Sequence, residues 1–264
     1  MAISNEQFFL YVACIFYTIS FVSIYLNQKR FSYSFLILAI LLGLLSHTAG
    51  LGLRWSRVGH GPFINLYEIL SSNVWSLMVC FLLFMLFAKQ YRHTARYIVP
   101  ILALLMIWLL VTTPRDTFLP PTYNTIWLYF HVFSGKVFLG LLMLATATAI
   151  YGLMSEKTIN STFSIPRMQA LSYCFLAFAF CFDSLMLIFG AIWAQDAWGR
   201  YWAWDPLETW AFLTWLSLLF TLHWRKDSSP QRGYAILVVG CFILAFLTFF
   251  GVPFVSTAPH KGMI

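Results

Sequence analysis

The chain has 264 residues, of which 61% are hydrophobic and only 9% are charged. Soluble domains carry roughly 25% charged residues, so this chain has too little polar surface to cover itself in water, and lipid is its expected solvent. The net charge of +7 does not indicate nucleic-acid binding, because the basic residues form short clusters between apolar runs and not a continuous Lys/Arg face.

Eight apolar runs approach the length of about 20 residues that a helix needs to cross a bilayer. The sequence therefore predicts an all-α, polytopic transmembrane helix bundle. It predicts one membrane domain over residues 1–264, because no internal repeat or low-complexity linker is found. The predicted spans are 8–26, 33–53, 68–88, 97–113, 130–154, 170–194, 206–224 and 233–251.

The distribution of Lys and Arg predicts the orientation of the spans, because short cytoplasmic loops are enriched in these residues. One alternating set of connections has most of them, namely Lys29, Arg30, Lys89, Arg92, Arg96, Lys157, Arg167, Arg225, Lys226 and Arg232. The opposite set has only Arg54, Arg57, Arg115, Arg200 and Lys261. The first set is therefore predicted to be cytoplasmic, which puts both termini on the outer side.

This orientation sorts the histidines by side. His60, His131 and His260 are expected at or near the outer face, and His223 at the cytoplasmic end of the seventh span. A single histidine at a membrane interface is usually an amphipathic side chain whose polar end is solvated. Two neutral imidazoles on one side, His131 and His260, are instead a donor set that suits six-coordinate haem iron.

Residues 198–210 form the most unusual segment of the chain, with four Trp and one Tyr in an outer connection. Such a concentration makes a flat aromatic surface with indole N–H donors at its rim, and Arg200 adds a cation that can bind a carboxylate. The segment therefore suits a large planar ligand with anionic edges. An aromatic belt at the membrane interface is the alternative interpretation.

Other polar residues near the membrane have two interpretations each. Asn65 and Glu68 are most simply the N-cap and a dipole-favoured acid of the third span, while the role of His60 is left open. Asp183, deep in the sixth span, either has a function or bonds neighbouring hydroxyl groups. Lys136 either extends outward or neutralises a carboxylate of a bound ligand.

The segment WGRYWAWDPLETWAF at 198–212 resembles the signature of the tryptophan-rich WWD haem-handling membrane proteins. Within that group it is similar to the CcsA/ResC family of cytochrome c assembly proteins, known as System II. Shorter likenesses occur at 54–68, 127–132, 193–199 and 222–225, so the resemblance covers the chain from about residue 50 onward.

The resemblance implies a set of site residues and a substrate, haem b. The outer loop would bind haem through Trp198, Arg200, Tyr201, Trp202, Trp204 and Asp205, with His60 as a further candidate. His131 and His260 would be the axial ligands of the iron. His223 would belong to an inner entry site, where a CcsB/ResB-like membrane protein supplies the second ligand.

The function implied is transmembrane delivery of haem and its covalent attachment to the CxxCH motif of apocytochrome c. The chain would be a subunit of a cytochrome c haem lyase complex, with no catalytic side chain of its own. Its membrane would be a bacterial inner membrane or, alternatively, a thylakoid. The other functions considered are a haem exporter or chaperone without ligase activity, and a b-type electron-transfer cytochrome, which would need an inner histidine pair.

Overall fold

The computed structural model describes residues 4–26, 33–155, 165–224 and 231–252. Over these ranges all regular secondary structure is helical and no strand is present, which confirms the all-α prediction. Each predicted span coincides with an α-helix. The helices are α1 (Asn5–Tyr25), α2 (Tyr33–Val58), α3 (Leu66–Phe87), α4 (Ala95–Val111), α5 (Ile126–Ser155), α6 (Ile165–Trp198), α7 (Pro206–Trp224) and α8 (Gln231–Phe250). His260 lies outside the described residues.

Seven helices of the described chain are long and apolar enough to cross a bilayer, and α4 joins this set together with the short 3-10 turn before it. The remaining helix is α7, in which Glu208, His223 and several Trp and Thr residues lower the mean hydropathy. Its 19 residues span about 28 Å at 1.5 Å per residue, which is close to the thickness of the hydrocarbon core. The length of α7 therefore still suits a span.

Three helices begin at side chains that accept hydrogen bonds from the first turn. Ser4 caps α1 in a reciprocal capping box with Gln7. Asn65 caps α3, as predicted, with its Oδ1 accepting the Glu68 N–H at 3.0 Å. Asp205 caps α7 in the same way, and Pro206 follows at the first helical position, where its missing N–H costs nothing.

The chain divides into two compact units, residues 1–119 and 120–264. In the first unit, each of α1 to α4 packs against the next helix, and α4 also contacts α1. The second unit repeats this arrangement with α5 to α8, where α8 contacts α5. Each unit is thus a closed four-helix bundle, the packing expected for antiparallel helices joined by short connections.

The second unit is built around α5, the most buried of its helices. Its core consists of residues from all four helices, including Phe138, Leu142, Leu176, Leu218 and Val238. Large apolar side chains also cover the outer surface, among them Phe133, Phe178, Ile188 and Ile243. An apolar exterior around an apolar core is the pattern of a bundle surrounded by lipid.

Candidate functional site

A cleft opens in the second unit around His131, in the first turns of α5. The space between its walls, including the part open to solvent, is about 490 Å³. It is lined by His131, Met186, Leu187, Gly190, Ala191, Trp193, Ala194, Tyr201, Trp202, Leu207, Glu208 and Ala211. The end of α6, the loop after it and the start of α7 therefore meet at one histidine.

The His131 ring is held from two sides. Its Nδ1 lies 2.8 Å from the Met186 carbonyl oxygen, and its ring stacks on Trp193 with centroids 6.3 Å apart and planes 12° from parallel. Because a carbonyl can only accept, Nδ1 must hold the proton and Nε2 the lone pair. A histidine fixed in this tautomer is prepared to bind a metal ion through Nε2.

Gly190 lets α6 approach the ring of His131. A Cβ atom at this position would lie 2.8 Å from Nδ1 of His131, which is closer than atoms that are not bonded normally come. Any larger residue would push the ring away from the Met186 carbonyl. The glycine therefore belongs to the positioning of the histidine.

The loop 199–205 forms the aromatic wall of the cleft. It leaves α6 through Gly199, which has a φ of 76°, and enters α7 after Trp204, which has a φ of 58°. Both residues lie in the left-handed region, which is costly for a side chain as large as tryptophan. The indole N–H of Trp202 is buried and has no hydrogen-bond partner among the described residues. Buried donors are nearly always paired, so this one suits an acceptor on a bound ligand.

The tryptophans of the loop do not share one role. Tyr201 and Trp202 line the cleft, whereas Trp204 is 66% exposed and packs edge-to-face against Trp202 at 5.7 Å. Trp198 packs edge-to-face against Trp193, with ring centroids 5.0 Å apart. It therefore supports the ring that stacks on His131 and is not part of the lining.

Asp205 and Arg200 also lie outside the lining. Asp205 is buried, and its Oδ1 accepts the Glu208 N–H at 2.9 Å, so its observed contact caps α7 and fixes the end of the loop. Arg200 is exposed immediately before the lining residues Tyr201 and Trp202. A cation at that position is available to an anionic group at the outer edge of a ligand.

The lining residues that the sequence analysis did not select include Met186, Gly190, Trp193 and Glu208. Glu208 is in the first turn of α7, where its Oε2 accepts the Ala203 N–H at 2.6 Å. Its place in the WWD-like segment and its position next to a helix N-terminus were the available signals. The other three lie on α6, and only packing against α5 brings them to the cleft.

His223 lies at the opposite end of α7. It is exposed, and its Nδ1 donates to the Leu219 carbonyl of the preceding turn at 2.9 Å, which leaves the lone pair on Nε2. Glu208 and His223 are fifteen positions apart on α7, which corresponds to about 22 Å along the helix axis. One ligand held by His131 therefore cannot also be held by His223.

The other two buried histidines belong to the first unit. His60 is 3% exposed, and its two ring nitrogens lie 2.9 Å from the carbonyl oxygens of Gly61 and Thr117. Metal binding at His60 would break one of these bonds. His47 lies between Tyr17 and Ser71, with 3.3 Å to the tyrosine hydroxyl and 2.9 Å to the serine hydroxyl.

Asp183 and Lys136 lie on α6 and α5. Asp183 is completely buried, and neither carboxylate oxygen has a hydrogen-bond partner among the described residues. The expected bonds from neighbouring hydroxyl groups are therefore not formed within that part of the chain. Lys136 is half-buried and does not line the cleft.

Fold and site together define a polytopic membrane protein with an aromatic, histidine-centred cleft. The sequence profile of the cytochrome c assembly protein family matches residues 63–260. Since this match covers most of the chain, the protein belongs to that family, and it is an integral membrane protein.

Two relatives illustrate the extent of the similarity, and both are described as cytochrome c biogenesis protein CcsA. The protein of Chlamydomonas reinhardtii is 30% identical over 224 residues, which cover 79% of this chain but only 62% of the algal protein. The protein of Prochlorococcus marinus subsp. pastoris is 30% identical over 290 residues, covering 92% of this chain and 87% of the relative.

A solved structure, the cytochrome c haem lyase CcmF, has the same fold. The two superpose with a TM-score of 0.68 at 15% sequence identity, covering 93% of this chain and 46% of the CcmF chain. This chain thus spans about half the length of that protein, and at this identity the likeness concerns the fold alone.

Proposed function

We propose that this protein binds haem b in the cleft as its substrate and presents it for covalent attachment to the CxxCH motif of apocytochrome c. Membership of the cytochrome c assembly family supports a role in haem attachment. Relatives named for cytochrome c biogenesis support the same role, as does the fold shared with the haem lyase CcmF. The protein would act as a subunit of a haem lyase complex, together with a CcsB/ResB-like membrane protein.

The fixed tautomer of His131 is the observation on which the proposal mainly rests. The bond to the Met186 carbonyl directs the lone pair to Nε2, the atom that would bind haem iron. Trp202 and Tyr201 provide aromatic surface for the macrocycle, and the buried indole N–H of Trp202 supplies a donor. Arg200 would neutralise a propionate at the outer edge.

The remaining ligands are part of the same proposal. His260 would bind the iron opposite His131 and would be displaced when the histidine of the CxxCH motif arrives. His223 would hold haem at a separate entry site about 22 Å away along α7, with a second ligand from the partner. The protein positions the haem, and the haem itself supplies the reactive vinyl groups.

The proposed topology puts the cleft and both termini on the outer side and His223 on the cytoplasmic side, following the distribution of Lys and Arg. The membrane would be a bacterial inner membrane. A thylakoid is the alternative, supported by relatives from an alga and a cyanobacterium.

Absorption spectroscopy of the detergent-purified protein, co-expressed with the partner and an ample haem supply, tests the proposal. We expect the wild type to co-purify with b-type haem whose reduced spectrum indicates two histidine ligands. His131→Ala should lose this haem or retain it in a poorly ligated form. His60→Gln, at another histidine predicted near the outer face, should keep the wild-type spectrum. Absence of haem from the wild type, or an unchanged spectrum in His131→Ala, would contradict the proposal.

A further inference from the structure

We propose that Glu208 transfers the proton during thioether formation in the cleft, and that its charge turns the vinyl edge of haem toward it. This inference rests on the proposed function. It gives a chemical role to a residue that the sequence analysis did not select.

Glu208 is the one charged side chain among the described residues that line the cleft. Its contact with the Ala203 N–H is short, 2.6 Å, as expected for a carboxylate that accepts a strong hydrogen bond. The N-terminus of α7 also favours a negative charge at this position. The cleft therefore has one anionic side chain in the same lining as the histidine that would bind the iron.

This anion determines how haem fits. Haem has two anionic propionates on one edge and two neutral vinyl groups on the opposite side of the ring system. Like charges repel strongly in a site with little water, so the propionate edge is excluded from Glu208. It can instead lie toward the exposed Arg200 at the outer end of the loop. The vinyl edge then faces the carboxylate.

The reaction at that edge needs a proton carrier and no oxidant. A cysteine thiol of the CxxCH motif adds across a vinyl group: the S–H bond and the C=C π bond break, and a C–S bond and a C–H bond form. Glu208 accepts the thiol proton and delivers it to the terminal vinyl carbon as sulfur bonds to the carbon next to the ring. The carboxylate is then restored. Nothing is oxidised or reduced overall.

The hydrogen bonds of Glu208 leave one oxygen for this task. The Oε2 atom of Glu208 accepts the Ala203 N–H, and the backbone N–H of Glu208 donates to Asp205 Oδ1. Oε1 makes no hydrogen bond within the described part of the chain. Glu208 can thus hold the loop with one oxygen and exchange a proton with the other.

The experiment compares Glu208→Gln with Asp196→Asn in the full chain, co-expressed with its partner and an apocytochrome c that has one CxxCH motif. Glutamine keeps an oxygen for the Ala203 N–H but cannot accept the proton. Asp196 is exposed near the end of α6 and does not line the cleft, so its substitution removes an equal charge outside the site. The measured quantities are co-purifying haem, its spectrum, and the initial rate of covalent haem attachment to the cytochrome.

We expect Glu208→Gln to retain haem with an unchanged ligand spectrum and to attach it on the order of 100-fold more slowly, the usual effect of losing an acid–base group. Asp196→Asn should match the wild type. Attachment by Glu208→Gln at the wild-type rate, or loss of haem from this variant, would overturn the proton-transfer role. Failure of the wild type itself to attach the haem that it binds would instead refute the ligase function and favour a haem exporter or chaperone.

Discussion

The two four-helix units treat their buried polar groups in opposite ways. In residues 1–119, the buried Arg54 contacts Glu68 at 2.8 Å and Glu6 at 3.1 Å, and Arg57 joins Glu6 to Asp116. In residues 120–264, the indole N–H of Trp202 and the carboxylate of Asp183 are buried without hydrogen-bond partners in the described chain. The first pattern is a network of paired charges that suits a scaffold. In the second, Trp202 lines the cleft, and its unpaired donor suits an acceptor on a ligand.

His60 and His131 show the same contrast at single residues. The sequence predicts both histidines near the outer face, and each has aromatic residues close to it in the chain. In the structure, both ring nitrogens of His60 lie 2.9 Å from backbone carbonyl oxygens within the first unit, whereas His131 donates from Nδ1 to the Met186 carbonyl and lines the cleft. The fold thus gives different surroundings to two histidines that look alike in the sequence.

Removing the central cation of the first unit should have the largest effect on stability. Arg54→Met leaves the buried carboxylate of Glu68 without its arginine and removes one of the two arginines that contact Glu6. Breaking such a buried pair typically costs about 3–5 kcal/mol. Arg57→Met is the matched control, because the Arg57 side chain is 47% exposed and exposed ion pairs contribute roughly 0–1 kcal/mol. Thermal unfolding in detergent measures both variants. Equal losses of Tm would show that the network is not organised around Arg54.

Filling the space beside His131 should damage the site of the second unit. Gly190→Ala puts a methyl group 2.8 Å from Nδ1 of His131, which should displace the ring, lower haem occupancy and cost about 1–3 kcal/mol. A methyl group at Gly240 meets no atom of the described residues within 4 Å. Gly240→Ala should therefore be neutral or stabilising by up to about 1 kcal/mol. Haem content and Tm distinguish the two variants, and a harmless Gly190→Ala would mean that the ring adapts.

Variants of Asp183 test whether a buried carboxyl without a hydrogen-bond partner in the described chain destabilises the second unit. Asp183→Leu removes a buried carboxyl that has no hydrogen-bond partner among the described residues, and should raise the free energy of unfolding by about 1–3 kcal/mol. Asp183→Asn, which keeps the polar burial, should not. A lower Tm for the leucine variant would contradict this expectation and indicate that the carboxyl is needed in the membrane.

The smallest effect is expected at the exposed end of the network. A hydrogen bond from Arg57 lowers the pKa of Asp116 below its ordinary value of 3.8. The stabilisation is therefore present above about pH 4 and lost as the pH falls through the lower pKa of the folded protein. Since the Asp116 side chain is 62% exposed, Asp116→Asn should cost under about 1 kcal/mol at pH 7. The difference in Tm should vanish at low pH, and a difference that persists there would have another origin.

The sequence predicted the eight α-helices of the described chain, because a bilayer requires long apolar runs that are visible without any knowledge of packing. It did not predict the two 3-10 helices in the connections. It also predicted the cap at Asn65 and the helix start at Pro206, since both depend on neighbours in sequence. The structure has two compact units, and the single membrane domain stays a prediction. The ligand role of His260 also stays a prediction, because that residue lies outside the described ranges.

The sequence by itself determined the membrane class and the α-helices, because composition reflects the solvent around the chain and apolar runs reflect its helices. It also predicted a role for His131 and the segment 198–210 from short motifs. Only the tertiary structure decided which side chains form the cleft. Trp202 lines it while Trp204 and Trp198 do not, and Glu208 enters it from the next helix. The physical reason is that an aromatic residue in a loop has no periodicity to indicate its direction. Its partners on α5 and α6 are distant in sequence and are brought to it only when the helices pack.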